Sequence, residues 1–341
     1  MHTPHQVFDA QGQPQLLGNL LGQGGEGSIY MLQRNAGSLV KLYHAEKLKA
    51  QGKHLFAKVE LMCANAASFK HITAKWPRHS VYDPNGNWIG FAMGRAAGVP
   101  MARLAHAMLY EKYYPGLCRI QLVWFLMHWL ETLEKLHRQG VMIGDYNMNN
   151  VICNPAPQAM CPTSLIDCDS FQINLNGQIQ LCTVGSPDMT PPEHHNRNFS
   201  GFQRTLSSEY FSAAIIIFKC LMLGRHPYDI IGGSDPVSNM VQGKFAYGKG
   251  NHGIPTGPWF CIWSHMPHRL KQMFISVFTE GAIKPANRPS LLDWLDALHL
   301  YRKEMKKNWH LSAIRPTSPK PQSYRGQNQA IIQSSAGMVC A

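Results

Sequence analysis

Long apolar runs are scarce in this sequence. The longest, Ala213-Ala214-Ile215-Ile216-Ile217-Phe218, meets Lys219 after six residues, whereas a membrane span needs roughly 20, so it is expected to be a buried helix. The opening residues MHTPHQVFDAQGQPQ lack a basic start followed by an apolar stretch, so no secretory signal is expected and the expected compartment is the cytoplasm. None of the nine cysteines forms a CxxC pair, which argues against zinc, and an odd number scattered through an intracellular chain argues against a disulfide framework. Charged residues are few, 15% of the chain, and acidic ones fewer still: 20 Asp and Glu against 32 Lys and Arg, a net of +12. No internal repeat is present.

What is there is a chain of 341 residues, 45% hydrophobic, which excludes wholesale disorder and allows one large domain or two modest ones. Half of the positive excess lies beyond Tyr301, where seven Lys and Arg face only Glu304. Such a tail can touch nucleic acid or an acidic partner, but solvated chain is the commoner outcome, and nucleic acid is not the expected partner. From about Ser312, Pro, Ser, Gln and Lys dominate without apolar periodicity, so disorder is expected there.

The first 100 residues read as strands broken by turns. Gln6-Val7-Phe8 and Gln15-Leu16-Leu17 flank Asp9-Ala10-Gln11-Gly12, a hairpin signal. Ile29-Tyr30-Met31-Leu32, Ser38 to Tyr43 and Trp88 to Met93 are extended, and Ala45 to Phe69 is helical. Beyond Pro100 helices dominate: Gln121–Arg138 carries Leu122, Phe125, Leu126, Trp129, Leu133 and Leu136 at helical spacing, followed by 209–223, 267–279 and 289–301. The expected class is α+β, a small β-rich part followed by a larger helical one.

Five segments carry chemistry. Gly22-Gln23-Gly24-Gly25-Glu26-Gly27 precedes β-branched and aromatic residues, so it joins two strands rather than opening a helix. Glycines there let backbone N–H groups approach phosphate, though an ordinary glycine turn reads equally well. Lys41, between Val40 and Leu42, either snorkels at an edge or reaches back under the glycines. A phosphate-holding lysine needs a fixed carboxylate, for which Glu60 is the candidate and Glu46 the alternative. In Ile143-Gly144-Asp145-Tyr146-Asn147-Met148-Asn149-Asn150, Asp145 suits orientation of a hydroxyl and Asn150 suits a metal ligand; a capping loop is the plain alternative. Asp167 ends the apolar strand Leu165-Ile166, and one or two carboxylates beside phosphate oxygens suffice for Mg²⁺. Glu193, after Pro191-Pro192, and Arg288 could form a buried bidentate pair of structural value.

In order and interval, these residues resemble those of protein kinases, over about Leu16 to Leu300. The narrower pattern is similar to bacterial kinase-like proteins linked to helix-hairpin-helix regions or tellurite-resistance gene neighbourhoods. It rests on Gly24-Gly25-Glu26-Gly27, Lys41-Leu42-Tyr43-His44, Trp76-Pro77, Gly144-Asp145-Tyr146-Asn147, Asp167-Cys168-Asp169-Ser170-Phe171-Gln172, Thr190-Pro191-Pro192-Glu193 and Gly224-Arg225-His226-Pro227. The resemblance implies a bilobal fold with an extension at 1–15, an N-lobe at 16–100, a C-lobe at 101–300 and a basic, mostly disordered tail at 301–341. It implies ATP with Mg²⁺ (or Mn²⁺) as cofactors. Gly22, Gly24, Gly27, Ile29, Lys41, Phe91 and Met93 would line the nucleotide, Asn150 and Asp167 would hold metal, and Asp145, Lys41 and Glu60 would be catalytic. The implied partners are a protein substrate and a phosphatase or von Willebrand A-type protein. Departures bear on mechanism: Ile143-Gly144-Asp145 lacks the usual arginine, Asn147 stands where a lysine is usual, and Asp169 adds a second carboxylate. Ser186 replaces a threonine, and Glu209 stands where the large-lobe helix carries an aspartate bracing the catalytic loop. Ser/Thr phosphoryl transfer, with Thr317-Ser318 as candidate self-modification sites, is the leading expectation, and a pseudokinase scaffold is the alternative.

Overall fold

The computed structural model describes residues 6–156, 162–248 and 253–321; Cys161, Arg325 and Cys340 lie outside them. Its first half comprises β1 (Gln6–Phe8), β2 (Pro14–Gln23), β3 (Gly27–Leu32), β4 (Asn35–Tyr43), α1 (Ala45–Ala64), β5 (Pro77–Tyr82) and β6 (Trp88–Gly94). Aspartate turns set two of the hairpins. Asp9 accepts the N–H groups of Gln11 and Gln13 at 3.0 and 2.8 Å, and Asp83 accepts those of Asn85 and Asn87 at 2.9 and 2.8 Å. Each Asp side chain thereby satisfies the turn's own backbone. The strands close into a barrel in the order β1-β2-β3-β4-β6-β5. Because β1 pairs with both β2 and β5, residues 6–8 complete the barrel.

Side chains alternate across each strand. Val7, Leu17, Tyr30, Leu32, Val40, Leu42, Val81 and Ala92 form one apolar cluster. Tyr43, Phe91 and Met93 form another, covered by Leu55 and Val59 of α1. Trp76 anchors the far end of α1: it stacks on Phe69 with ring centroids 3.9 Å apart and donates to the Met62 carbonyl at 2.8 Å.

The rest of the chain is mainly helical: β7 (Val99–Pro100), α2 (Met101–Leu104), α3 (Tyr110–Tyr113), α4 (Arg119–Arg138), β8 (Val141–Met142), β9 (Val151–Cys153), β10 (Thr163–Leu165), β11 (Gln172–Leu175), β12 (Gln178–Gln180), α5 (Leu206–Leu221), α6 (Pro236–Val241), α7 (Trp259–His265), α8 (His268–Phe278), α9 (Glu280–Ile283) and α10 (Leu291–Lys306). No helix of the described residues is long and apolar enough to cross a membrane. Ala213 to Phe218 is wholly buried in α5, and Phe218 meets the rings of Phe245, Tyr247, Phe274 and Phe278 edge-on. Arg288 clasps Glu193 with two parallel bonds of 2.6 and 2.8 Å, the bidentate geometry that suits guanidinium and carboxylate.

The described segment after α10 packs against the helical part of the chain. Helix α10 runs to Lys306, and the following segment folds back onto the start of α4. The buried Arg119 guanidinium donates to the carbonyls of Ala313 and Ile314, and its backbone N–H donates to that of Ser312. His265 and Ser264 then hold Ser318 and Lys320. One buried cation satisfied by three distant carbonyls leaves no local pattern in sequence.

His226 ties the Gly224–Pro227 turn to the segment before Glu193. Its Nε2–H donates to the Asp188 carbonyl at 2.7 Å and its Nδ1 accepts from the Tyr228 N–H at 3.3 Å, which requires the neutral ring. Burial pulls its pKa down to about 4, against the opposing pull of the Asp188 carbonyl. The unfolded imidazole titrates near 6.5, so between pH 6.5 and 4 the unfolded chain binds more protons and stability falls as pH falls. His226→Gln should remove about 2–3 kcal/mol of that pH-dependent loss, read as a smaller drop in urea midpoint between pH 7 and 4.5 than the unsubstituted chain shows.

Candidate active site

The glycine segment is the hairpin between β2 and β3. Gly24 N–H donates to the Gly27 carbonyl at 2.9 Å. A side chain at Gly22, Gly24 or Gly25 would meet nothing within 4 Å, whereas a Cβ at Gly27 would lie 2.3 Å from the Leu42 carbonyl oxygen. Gly27 is therefore demanded by the barrel, and the other three leave open space over the hairpin. The hairpin is fastened to the start of α1 by the Glu26–Lys47 ion pair at 2.6 Å and by His44 Nε2 donating to the Gly24 carbonyl at 2.9 Å.

Strand register aligns the next residues. Ile29 pairs with Lys41 and Lys41 with Phe91, while Leu39 pairs with Met93. Ile29, Lys41, Phe91 and Met93 therefore share one face of the sheet. Phe91 and Met93 are packed beneath α1. Lys41 is buried, and its Nζ donates to Asp167 and to Asp169, each at 2.7 Å. Tyr43 Oη donates to the same Asp169 oxygen at 2.6 Å. Burial pulls the Lys41 ammonium down, but the two carboxylates outweigh it and the net shift is up. Asp167 is raised by burial and by the neighbouring Asp169 charge. It adopts φ 60°, a left-handed conformation that aspartate tolerates better than most residues.

Glu60 is not part of this cluster. It sits on the exposed side of α1, bonded to Ser80 Oγ, which also accepts the Trp88 indole N–H at 3.1 Å. Helical spacing supplies the reason: Leu55, Lys58, Val59 and Met62 form the inward stripe, and position 60 falls off it. Lys58 is the residue turned inward. It is buried and donates to the Leu181 carbonyl at 3.2 Å, and burial lowers its pKa against the pull of Cys182 and Asp169.

The Asp145 loop hangs from α5. Glu209 accepts the N–H groups of Ile143 and Gly144 at 2.7 and 3.0 Å, the Tyr146 hydroxyl at 3.0 Å and His137 Nε2 at 3.3 Å. Asp145 Oδ1 is buried and accepts no hydrogen bond. Its pKa is raised, first by burial and then by Asp167, against the Ser186 backbone N–H and Arg204. Asn150 gives its carbonyl to the Ile166 N–H at 3.0 Å, placing it beside the residue before Asp167. Asn147 is exposed and caps its own turn, accepting from the Asn149 N–H at 2.9 Å.

The chain is similar to protein kinases. It is 30% identical over 317 residues to Protein kinase YegI of Escherichia coli strain K12, a match covering 90% of this chain and 48% of that protein. The Protein kinase YegI of Escherichia coli O157:H7 is 30% identical over 311 residues, 88% of this chain and 47% of that protein. The chain thus spans about half the length of the curated relatives it matches. No family model matches it. The identity along nine-tenths of the chain supports a kinase-like family.

Asp169, a carboxylate already marked in sequence, and Tyr43 lie 126 residues apart yet share a hydrogen bond beside Lys41. Lys58, which no motif marked, is the cation that α1 buries. Arg204 is a further residue outside the motifs. Its guanidinium donates to the Val184 carbonyl at 3.1 Å, faces His194 Nδ1 at 3.3 Å and stacks on Phe199 at 4.2 Å. This buried cation grips the segment before Glu193 without a phosphate, although the loop lacks the customary arginine beside Asp145. The glycines yield a direct test in thermal unfolding: Gly27→Ala should cost roughly 1–3 kcal/mol through overpacking, while Gly24→Ala should leave the midpoint nearly unchanged.

Proposed function

We propose that this chain is a bilobal ATP-dependent protein kinase acting on Ser and Thr hydroxyls, itself among its substrates. The observation that carries the reading is Asp145: a buried carboxylate oxygen with no partner, on a loop suspended from Glu209, beside the Asp167 that pairs with Lys41. Its roles follow from geometry. Oδ1 of Asp145 is available to accept the hydrogen bond of an incoming hydroxyl, and Glu209 holds the loop so that this oxygen stays aimed. The bare upper surface of Gly22, Gly24 and Gly25 leaves backbone N–H groups approachable by phosphate. Lys41 provides the cation beneath that hairpin.

The donor set suits a hard divalent cation. Asp167 presents a carboxylate whose side chain is 40% exposed, Asn150, the residue before β9, would add an amide oxygen, and such ions complete their shells with water and phosphate oxygens. Bound there, Mg²⁺ or Mn²⁺ would neutralise phosphate charge. Ile29, half-buried on the face it shares with Lys41, is the apolar residue left for a nucleotide base, since Phe91 and Met93 are packed beneath α1. Thr317 and Ser318 are exposed on the segment folded back against α7, within reach of a second copy.

The scaffold alternative draws on one observation: Asn147 spends its side chain on its own turn instead of presenting a cation near the transferred group. Association with a phosphatase or von Willebrand A-type protein rests on the resemblance alone, as does the link to tellurite-resistance neighbourhoods.

Intact-mass analysis after incubation with ATP and Mg²⁺ or Mn²⁺ decides between transfer and scaffold. Increments of about one phosphate each are expected, lost in Asp145→Asn with the unfolding midpoint retained. No increment on the protein or on casein with either metal would move the assignment to a scaffold.

A further inference from the structure

The kinase reading leaves open how Lys41 is held for phosphate, since the carboxylate expected on α1 is turned away. We propose that Asp169, braced by Tyr43, is the positioning residue for Lys41, and that α1 turns a cation inward here in place of an anion. The inference rests on the kinase reading for its consequence in catalysis, and on contact geometry for the pairing itself.

The two carboxylates that Lys41 touches are unlike each other. The Asp167 side chain is 40% exposed and faces the cleft, while that of Asp169 is 2% exposed. Asp167 is the one that would turn to a metal ion. Asp169 is locked by the Tyr43 hydroxyl and keeps its grip on Lys41 whichever way Asp167 points. Glu60, bonded to Ser80 on the exposed side of α1, is spent elsewhere.

Charge balance explains Lys58. Burying ions is tolerated only when they are paired, and Asp167 with Asp169 would leave Lys41 outnumbered. Lys58 is the ionisable side chain that α1 buries, and a glutamate there would add a third buried carboxylate to the two that Lys41 already holds. Lys58 also donates to the Leu181 carbonyl, which ties α1 to the segment that follows β12.

The test uses the full chain and separates the pairing from the chemistry. KM for MgATP and kcat are measured with casein for Asp169→Asn, Lys58→Gln, Glu60→Gln and the double variant Asp169→Asn/Lys58→Glu. Asp169→Asn should raise KM about tenfold or more with a smaller loss in kcat, because ground-state nucleotide binding loses an oriented cation. The double variant should recover most of that loss, since a glutamate on the inward stripe can take over Lys41. Lys58→Gln should also raise KM, and Glu60→Gln should stay within about twofold. A KM for Asp169→Asn within twofold of the unsubstituted chain, or a larger rise for Glu60→Gln, overturns the proposal. A double-mutant cycle in urea unfolding without nucleotide provides the second arm. Lys41→Met with Asp169→Asn should be non-additive, and Lys41→Met with Glu60→Gln additive; the reverse result overturns the pairing. Should the unsubstituted chain transfer no phosphate, the kinase reading falls and this cycle alone decides the pairing.

Discussion

The buried meeting of Lys41 with Asp167 and Asp169 is the constraint from which the site's arrangement follows. Lys41 comes from the barrel and the two aspartates from the loop beyond β10. Their 2.7 Å contacts therefore join the β-rich part to the helical part. The backbone joins them again where Lys75 and Leu165 are bonded and Ala74 pairs with Leu165 in parallel. A buried ammonium without partners would be costly. Its presence dictates that the aspartate loop stay closed beneath the sheet.

A second suspension system keeps the Asp145 loop in place from below. Glu209, buried near the start of α5, spends its oxygens on two backbone N–H groups, a phenol and an imidazole. A carboxylate with that many donors is hard to displace. Asp145 on that loop keeps one buried oxygen without a hydrogen bond, as does Asp169. Arg204 and the Glu193–Arg288 clasp do the same for the segment that follows. Stacked aromatic rings and carbonyls hold Arg204, and Glu193 is held bidentately. The segment is thereby ordered by the chain's own cations.

Most of the secondary structure was legible in the sequence. The stripe Leu122, Phe125, Leu126, Trp129, Leu133 and Leu136 became the buried face of α4, and the apolar run at 213–218 became the core of α5. Asp9 and Asp83 behave as turn formers, and Glu193 with Arg288 meets across 95 residues as their chemistry suggested. Two placements were tertiary decisions. Residues 6–8 close the barrel through strand pairing, and the segment after α10 is held by Arg119, a residue almost 200 positions earlier.

The site divides along the same line. Local sequence alone determined which segments carry chemistry: the glycine hairpin, a lysine on an apolar strand, an aspartate-asparagine loop and a strand-end aspartate. Each is a matter of backbone freedom or side-chain donor type within a few residues. Only the tertiary structure decided which partner each side chain takes. Glu60 and Lys58 are two residues apart on one helix, and the 100° step between successive residues sends one toward Ser80 and the other inward. Asp167 and Asp169 differ in burial, not in kind. Pairing between distant charges depends on which face of an element meets which neighbour, and that is set by packing of the whole chain.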